Sequence, residues 1–228
     1  MAKYTYVVST LNTIAGRITR DGHENNNALR NMQASFNNLA NQTKNLSDLY
    51  ETRSSTVTAD AHFVKVSKGA SQLKNSREKT SRELTNIMTE AVAEANREIA
   101  SKVRLIPGPL AAEIRAHAKS LNSQDRLATI KGLADAGDFA SLAAITESPA
   151  FLSGISVQEQ NAFRDAAIQK ACPETVANRD LVIERFNELQ EGMNTTDSFV
   201  AELSDGSRLK SIEDNDAAVA ALVAKLAS

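Results

Sequence analysis

The sequence predicts an all-α fold: a long, coiled-coil-like helical hairpin followed by a compact bundle of shorter helices. Three observations carry this. First, residues stepped in alternating fours and threes from Tyr4 to Tyr50 are apolar or aromatic at eleven of fourteen places, a heptad seam. Second, Gly and Pro number only nine and four in 228 residues, too few for the frequent turns of an all-β chain. Third, Ala, Leu and Val dominate the 42% apolar content, while Trp is absent and Tyr and Phe number three and seven.

The seam runs Tyr4, Val8, Leu11, Ala15, Ile18, Gly22, Asn25, Leu29, Met32, Phe36, Leu39, Thr43, Leu46 and Tyr50. Unbroken, it would extend roughly 70 Å at about 1.5 Å per residue. Asp21-Gly22-His23 and Asn25-Asn26-Asn27 interrupt it with turn and cap formers, so Asn25 or Asn26 is expected to start a second helix. Leu29, Met32, Phe36, Leu39, Leu46 and Tyr50 are the expected contacts for self-association or for a partner. The amide-rich flanks, from Asn12 to Asn45, suit close packing without fixed charge partners.

Two short stretches alternate at period two, Tyr4–Val8 and His62–Val66, and are expected to form a minor two-stranded patch. Residues 52–70 read as a linker. A second long helix is expected from about Ser71, with Leu84, Met88, Val92, Ala95, Ile99, Val103 and Ile106 in an eleven-residue repeat. Pro107-Gly108-Pro109 is expected to stop it. Residues 1–106 therefore form a hairpin arm.

Residues 109–173 read as a compact domain of short, punctuated helices. Expected elements are Pro109–Leu121, Gln124–Ala136 capped by Ser123 and ended by Gly137, and Phe139–Thr146 capped by Asp138. A turn at Ser148-Pro149 follows, then Val157–Ala171 with a Ser156/Glu159 capping box, ended by Pro173. Residues 174–228 hold a long helix, with Val182, Phe186, Leu189, Met193, Val200 and Leu203 at its seam and a mild break at Gly192. An Ala-rich last helix is expected after Asp214 or Asp216.

Charge is uneven. Residues 1–119 carry seventeen Lys and Arg against eleven Asp and Glu, while residues 120–228 carry nine against seventeen. Such asymmetry suits contacts between copies, or an acidic partner at one end. The densest basic run is Lys65, Lys68, Lys74, Arg77, Lys79 and Arg82. As a phosphate-binding stripe it would hold nucleic acid weakly and without sequence preference. No aromatics interleave for base stacking.

No chemistry-bearing motif stands out, and no cofactor, metal or enzymatic activity is expected. Cys172 lies at a helix end, where a small apolar residue packing inward is ordinary. His23, His62 and His117 have no ligand at metal spacing. Glu90/Glu94 and Glu184/Glu188 read as solvated faces rather than paired acids, and no Gly-rich phosphate loop is present. The N-terminus lacks the pattern of a signal peptide, and no apolar run is long enough for a membrane span.

The segment Gly137-Asp-Phe-Ala-Ser-Leu through Ser148-Pro-Ala-Phe-Leu-Ser-Gly154, continuing to Pro173-Glu174, resembles a stretch of small uncharacterised proteins of tailed bacteriophages and prophages. The features are the Gly-Asp helix start, the Pro-x-Phe-Leu-Ser-Gly turn and the later Pro-Glu, about forty residues in all. The resemblance implies a structural or assembly role in a phage particle: an internal, scaffolding or head–tail accessory protein, in the host cytoplasm and then the virion. Its expected partners are copies of itself and other virion proteins. A nucleic-acid-associated protein and an adaptor or chaperone holding a partner helix are the alternatives.

Overall fold

In a computed structural model, residues 4–20 and 26–226 are described, and every regular element among them is a helix. The order is α1 (Thr5–Arg20), α2 (Asn27–Glu51), α3 (Ala59–Val103), α4 (Ala111–Ser120), α5 (Ser123–Ala136), α6 (Phe139–Thr146), α7 (Ala150–Ser153), α8 (Val157–Ala171), α9 (Pro173–Leu203) and α10 (Gly206–Leu226). None of these helices is long and apolar enough to cross a membrane. Two compact units result, residues 1–89 with 182–228, and residues 90–181. Both boundaries fall inside helices, α3 and α9.

The first unit grows from the heptad seam. Asn26, in extended backbone, accepts the Leu29 N–H at 3.1 Å and starts α2, so α1 and α2 are separate helices. The turn expected at Asp21-Gly22-His23 and Asn25 lies outside the described residues. Tyr4, Val7, Leu11, Ala15 and Ile18 on α1 are buried, as are Leu29, Met32, Phe36, Leu39, Thr43 and Leu46 on α2. Gln33 on α2 donates to the Ala15 carbonyl at 3.2 Å and to Thr19 on α1. From α9, Leu189, Met193 and Phe199 enter the same unit; from α3, Val66, Ala70, Leu73 and Leu84.

Gly192 does not break α9. A methyl at that position would lie 2.7 Å from Ile14 Cδ1 and 3.0 Å from Phe36 Cζ, so the missing side chain makes the notch into which Phe36 fits. Ion pairs and hydrogen bonds trim the same packing: Arg17 to Glu188 at 3.4 Å, Arg77 to Asp197 at 2.8 Å, and Ser67 Oγ donating to the Leu203 carbonyl at 3.2 Å.

Several expected boundaries are corrected here. The two-stranded patch is absent among the described residues: Thr5–Val8 opens α1 and His62–Val66 lies in α3. Val66, Ala70 and Leu73 recur at helical spacing and bury together, which overrides the strand preference of Val. The linker shortens to residues 52–58, because the Thr58 hydroxyl accepts the Ala61 N–H at 3.2 Å and begins α3 twelve residues before Ser71. α3 stops at Val103, before Pro107: Arg104 turns to a φ of 38°, and Ile106 is exposed. Pro173 does end α8, but as the first residue of α9, where its missing N–H costs no helical bond. The last helix starts at Gly206 rather than after Asp214 or Asp216, since the Asp205 carboxylate accepts the Ser207 and Arg208 N–H groups, both at 3.1 Å.

The second unit is built round α6. Asp138 caps it by accepting the Ser141 N–H, after Gly137 ends α5 at a φ of 72°. The α5 cap is Asn122, one residue earlier than expected, accepting from Asp125. The capping box of Ser156 and Glu159 starts α8 as the sequence predicts. Leu142 to Thr146 are all buried, against Ile130, Ala134, Ile155 and Ala167. A neighbouring cluster joins Ile99 and Val103 of α3 to Cys172 and Val176, so the thiol packs inward.

Because α6 ends inside this core, its last carbonyls cannot reach water and need protein donors. Arg115 donates to Ala144 O at 3.2 Å, Gln160 to Ile145 O at 2.7 Å and to Ser148 O at 2.8 Å, and Arg164 to Thr146 O at 2.9 Å.

Three substitutions test this packing. Gly192→Ala should lower the thermal midpoint, because overpacking at about 1–3 kcal/mol outweighs a helix-propensity gain of about 1 kcal/mol. Gly132→Ala, with nothing within 4 Å, should raise it. Gln160→Leu should cost roughly 1–3 kcal/mol in urea unfolding, since it takes the side-chain donor from Ser148 O and leaves Ile145 O only the Ser148 hydroxyl; a loss under about 0.5 kcal/mol would show that water takes its place.

Candidate functional site

The five seam residues Leu29, Met32, Phe36, Leu39 and Leu46 are buried within the chain's own first unit. Leu46 Cδ1 packs at Gly69 of α3, and Phe36 at Gly192 of α9. The face assigned to a partner is therefore filled by this chain. Tyr50 differs: it is 38% exposed, at the end of α2, with its ring 5.1 Å from Tyr4 in an edge-on arrangement. Tyr4 also tilts against Phe199 at 4.6 Å and donates to Glu202 at 3.0 Å.

The basic run lies on α3, and the structure divides it. Arg77 is committed to Asp197 at 2.8 Å and Lys79 to Glu83 at 3.7 Å, while Arg82 Nε donates to the Glu78 carbonyl at 3.3 Å. Lys65, Lys68 and Lys74 are exposed. At 100° per residue, Lys65 and Lys68 lie about 60° apart, but Lys74 points to the far side of the helix from Lys65. Lys79, 77% exposed in its long pair with Glu83, and exposed Arg82 lie on the same side of α3 as Lys65 and Lys68. The run is therefore split: four basic groups share a side with Glu83, Lys74 lies opposite, and Arg77 is held by Asp197.

The titratable groups are likewise dispersed. The His62 ring meets the Tyr50 carbonyl at 3.2 Å, and His117 stands on α4; His23 lies outside the described residues. Hydrogen bonds from Lys102 and Thr175 hold Glu98 below the usual carboxylate range, and Glu98 in turn raises Lys102. The Ser156 N–H and hydroxyl hold Glu159 low in its capping box. Glu98 and Lys102 are exposed and Glu159 is half-buried, and all three belong to helix surfaces and caps. Glu184 pairs with Arg185 at 3.2 Å, and Glu188 with Arg185 at 2.8 Å. Among the described residues, no group of three or more His, Cys, Asp or Glu could hold a metal ion.

Two further surfaces lie outside the heptad seam. One is α10. Its first turns are anchored: Leu209 and Ile212 are half-buried, and Arg208 pairs with Asp60 at 3.0 Å and lies 4.3 Å over the Phe63 ring. Every residue from Glu213 to Lys225 is exposed, with Val219, Leu222 and Val223 at 50%, 60% and 59%. The sequence signal was present in Ala217–Leu226, where Lys225 is the one polar residue. The other feature is a groove of about 340 Å³ in the second unit. Leu110, Glu113, Ile114 and His117 form its α4 wall, Thr129 and Leu133 its α5 wall, and Ile145 its floor. Periodicity could not locate it, because α4 and α5 are too short to show a seam.

Comparison with family models, with curated proteins and with solved structures finds no match for this chain.

With its basic run divided, the chain is expected to leave a fluorescently labelled DNA duplex unbound at about 0.15 M salt, as read by anisotropy. Micromolar binding that weakens steeply between about 0.05 and 0.2 M salt would restore the nucleic-acid reading.

Proposed function

We propose that this chain is a non-enzymatic structural or assembly protein acting through helix–helix contacts between copies. The observation that supports this reading most directly is α10. A helical segment apolar on nearly all faces, as Ala217–Ala224 is, is normally a buried one, and here it is exposed. Packing supplies most of the stability of such a helix, so its covering surface belongs to an assembled state. The likeness of residues 137–174 to tailed-phage proteins adds the context of a virion component: internal, scaffolding or head–tail accessory. The α4–α5 groove favours one second reading, an adaptor that holds a partner's helix.

Light scattering across a wide concentration range, at low and high salt, tests the proposal. An assembly held by apolar burial should give a multiple of the single-chain mass that survives high salt. A monomer at every concentration would overturn self-association and leave the partner-helix reading.

A further inference from the structure

We infer that the first two turns of α10 act as the nucleus for the rest of it. The exposed arm, residues 213–226, is then helical in a single chain only while those turns stay docked on α3. The dependence belongs to the single chain and holds whatever surface covers the arm in an assembly.

The two parts of α10 have different support. At its start, the Asp205 carboxylate accepts the Ser207 and Arg208 N–H groups, both at 3.1 Å, and the Asp205 carbonyl accepts the Leu209 N–H at 3.0 Å. Arg208 reaches Asp60 at 3.0 Å and lies 4.3 Å over the Phe63 ring, while Leu209 and Ile212 are half-buried. Cap, ion pair and ring contact together fix the first backbone turns. From Glu213 to Lys225 every residue is exposed, so burial contributes little to holding the arm.

An arm without burial depends on propagation. Nucleating a helix carries a penalty of roughly a thousandfold, whereas each further residue of a good helix former is neutral to mildly favourable. Cut off from its nucleus, a segment this short falls in the range of about 12–15 residues where isolated helices are marginal. Residues 217–226 suit propagation: all but Val219 and Val223 are Ala, Leu or Lys, and Lys225 in the last turn complements the helix dipole. The link before them is weak. Asp214, Asn215 and Asp216 favour caps over helix interiors, so helical order crosses them only when the turns ahead are already fixed.

Loosening Arg208 from Asp60 and Phe63 therefore acts at a distance, melting the arm that carries Val219, Leu222 and Val223. Docked, the chain presents these side chains on a preformed helix; undocked, on a coil. That is an order–disorder switch set by one arginine and its cap.

Hydrogen exchange read by mass spectrometry, at low temperature where propagation is strongest, tests the dependence. In the wild type, residues 217–226 should exchange about fivefold or more slowly than unstructured chain. Asp205→Ala with Arg208→Ala removes cap and dock, whereas Asn215→Pro keeps both and cuts the link. In each variant, exchange over 217–226 should rise to within about twofold of the unstructured rate, while α2 keeps its wild-type protection and so reports an intact fold. Wild-type-like protection in either variant would show a self-sufficient helix and overturn the inference, as would an unprotected wild type. Protection that stays constant across a dilution series supports nucleation within the chain. Protection found only at concentrations where light scattering detects oligomers would overturn it and leave the assembly reading standing.

Discussion

Phe36 can be buried only because residue 192 has no side chain. Its ring is fully enclosed, and the helix facing it approaches so closely that a single added methyl would touch the ring and Ile14. This contact joins α1, α2 and α9, and it turns the strongest periodic signal in the chain inward. A heptad seam reports that a helix has a partner; it does not report whose helix that is. Here the partners are supplied by residues as distant in sequence as Gly69 and Gly192. Little aromatic bulk is available, so the core relies on close approach between backbones rather than on large side chains filling wide gaps.

The second unit answers a different constraint. Its central helix ends within the core, where an unpaired carbonyl would cost about as much as a lost hydrogen bond. Arg115, Gln160 and Arg164 close that account from α4 and α8. Arg126 does the same for the end of α4, donating to Ala118, Lys119 and Leu121 carbonyls at 2.7, 3.2 and 2.6 Å and to Gly154. Side chains that read as surface charges in the sequence are therefore structural donors. Arg77 on α3 is likewise held, by Asp197.

Beside exposed lysines such as Lys65, Lys68 and Lys74, two apolar surfaces stand open among the described residues: the exposed turns of α10 and the α4–α5 groove. That distribution suits a protein whose work is done by contact.

The sequence by itself determined the helical class, the α2 seam and the local punctuation: Asn26, Gly137, Asp138 and the Ser156/Glu159 box all act within four residues, so they can be read from neighbours. It misread the strand-like Val-rich stretch, because burial of Val66, Ala70 and Leu73 is a tertiary effect that outweighs local propensity. It also took Gly192 for a weak point, since nothing nearby in sequence reveals the Phe36 ring that needs the space. Tertiary structure alone decided which apolar faces the chain covers for itself and which it leaves open. Periodicity gives the direction in which a side chain points, whereas occupancy of the space it points into depends on residues more than a hundred positions away.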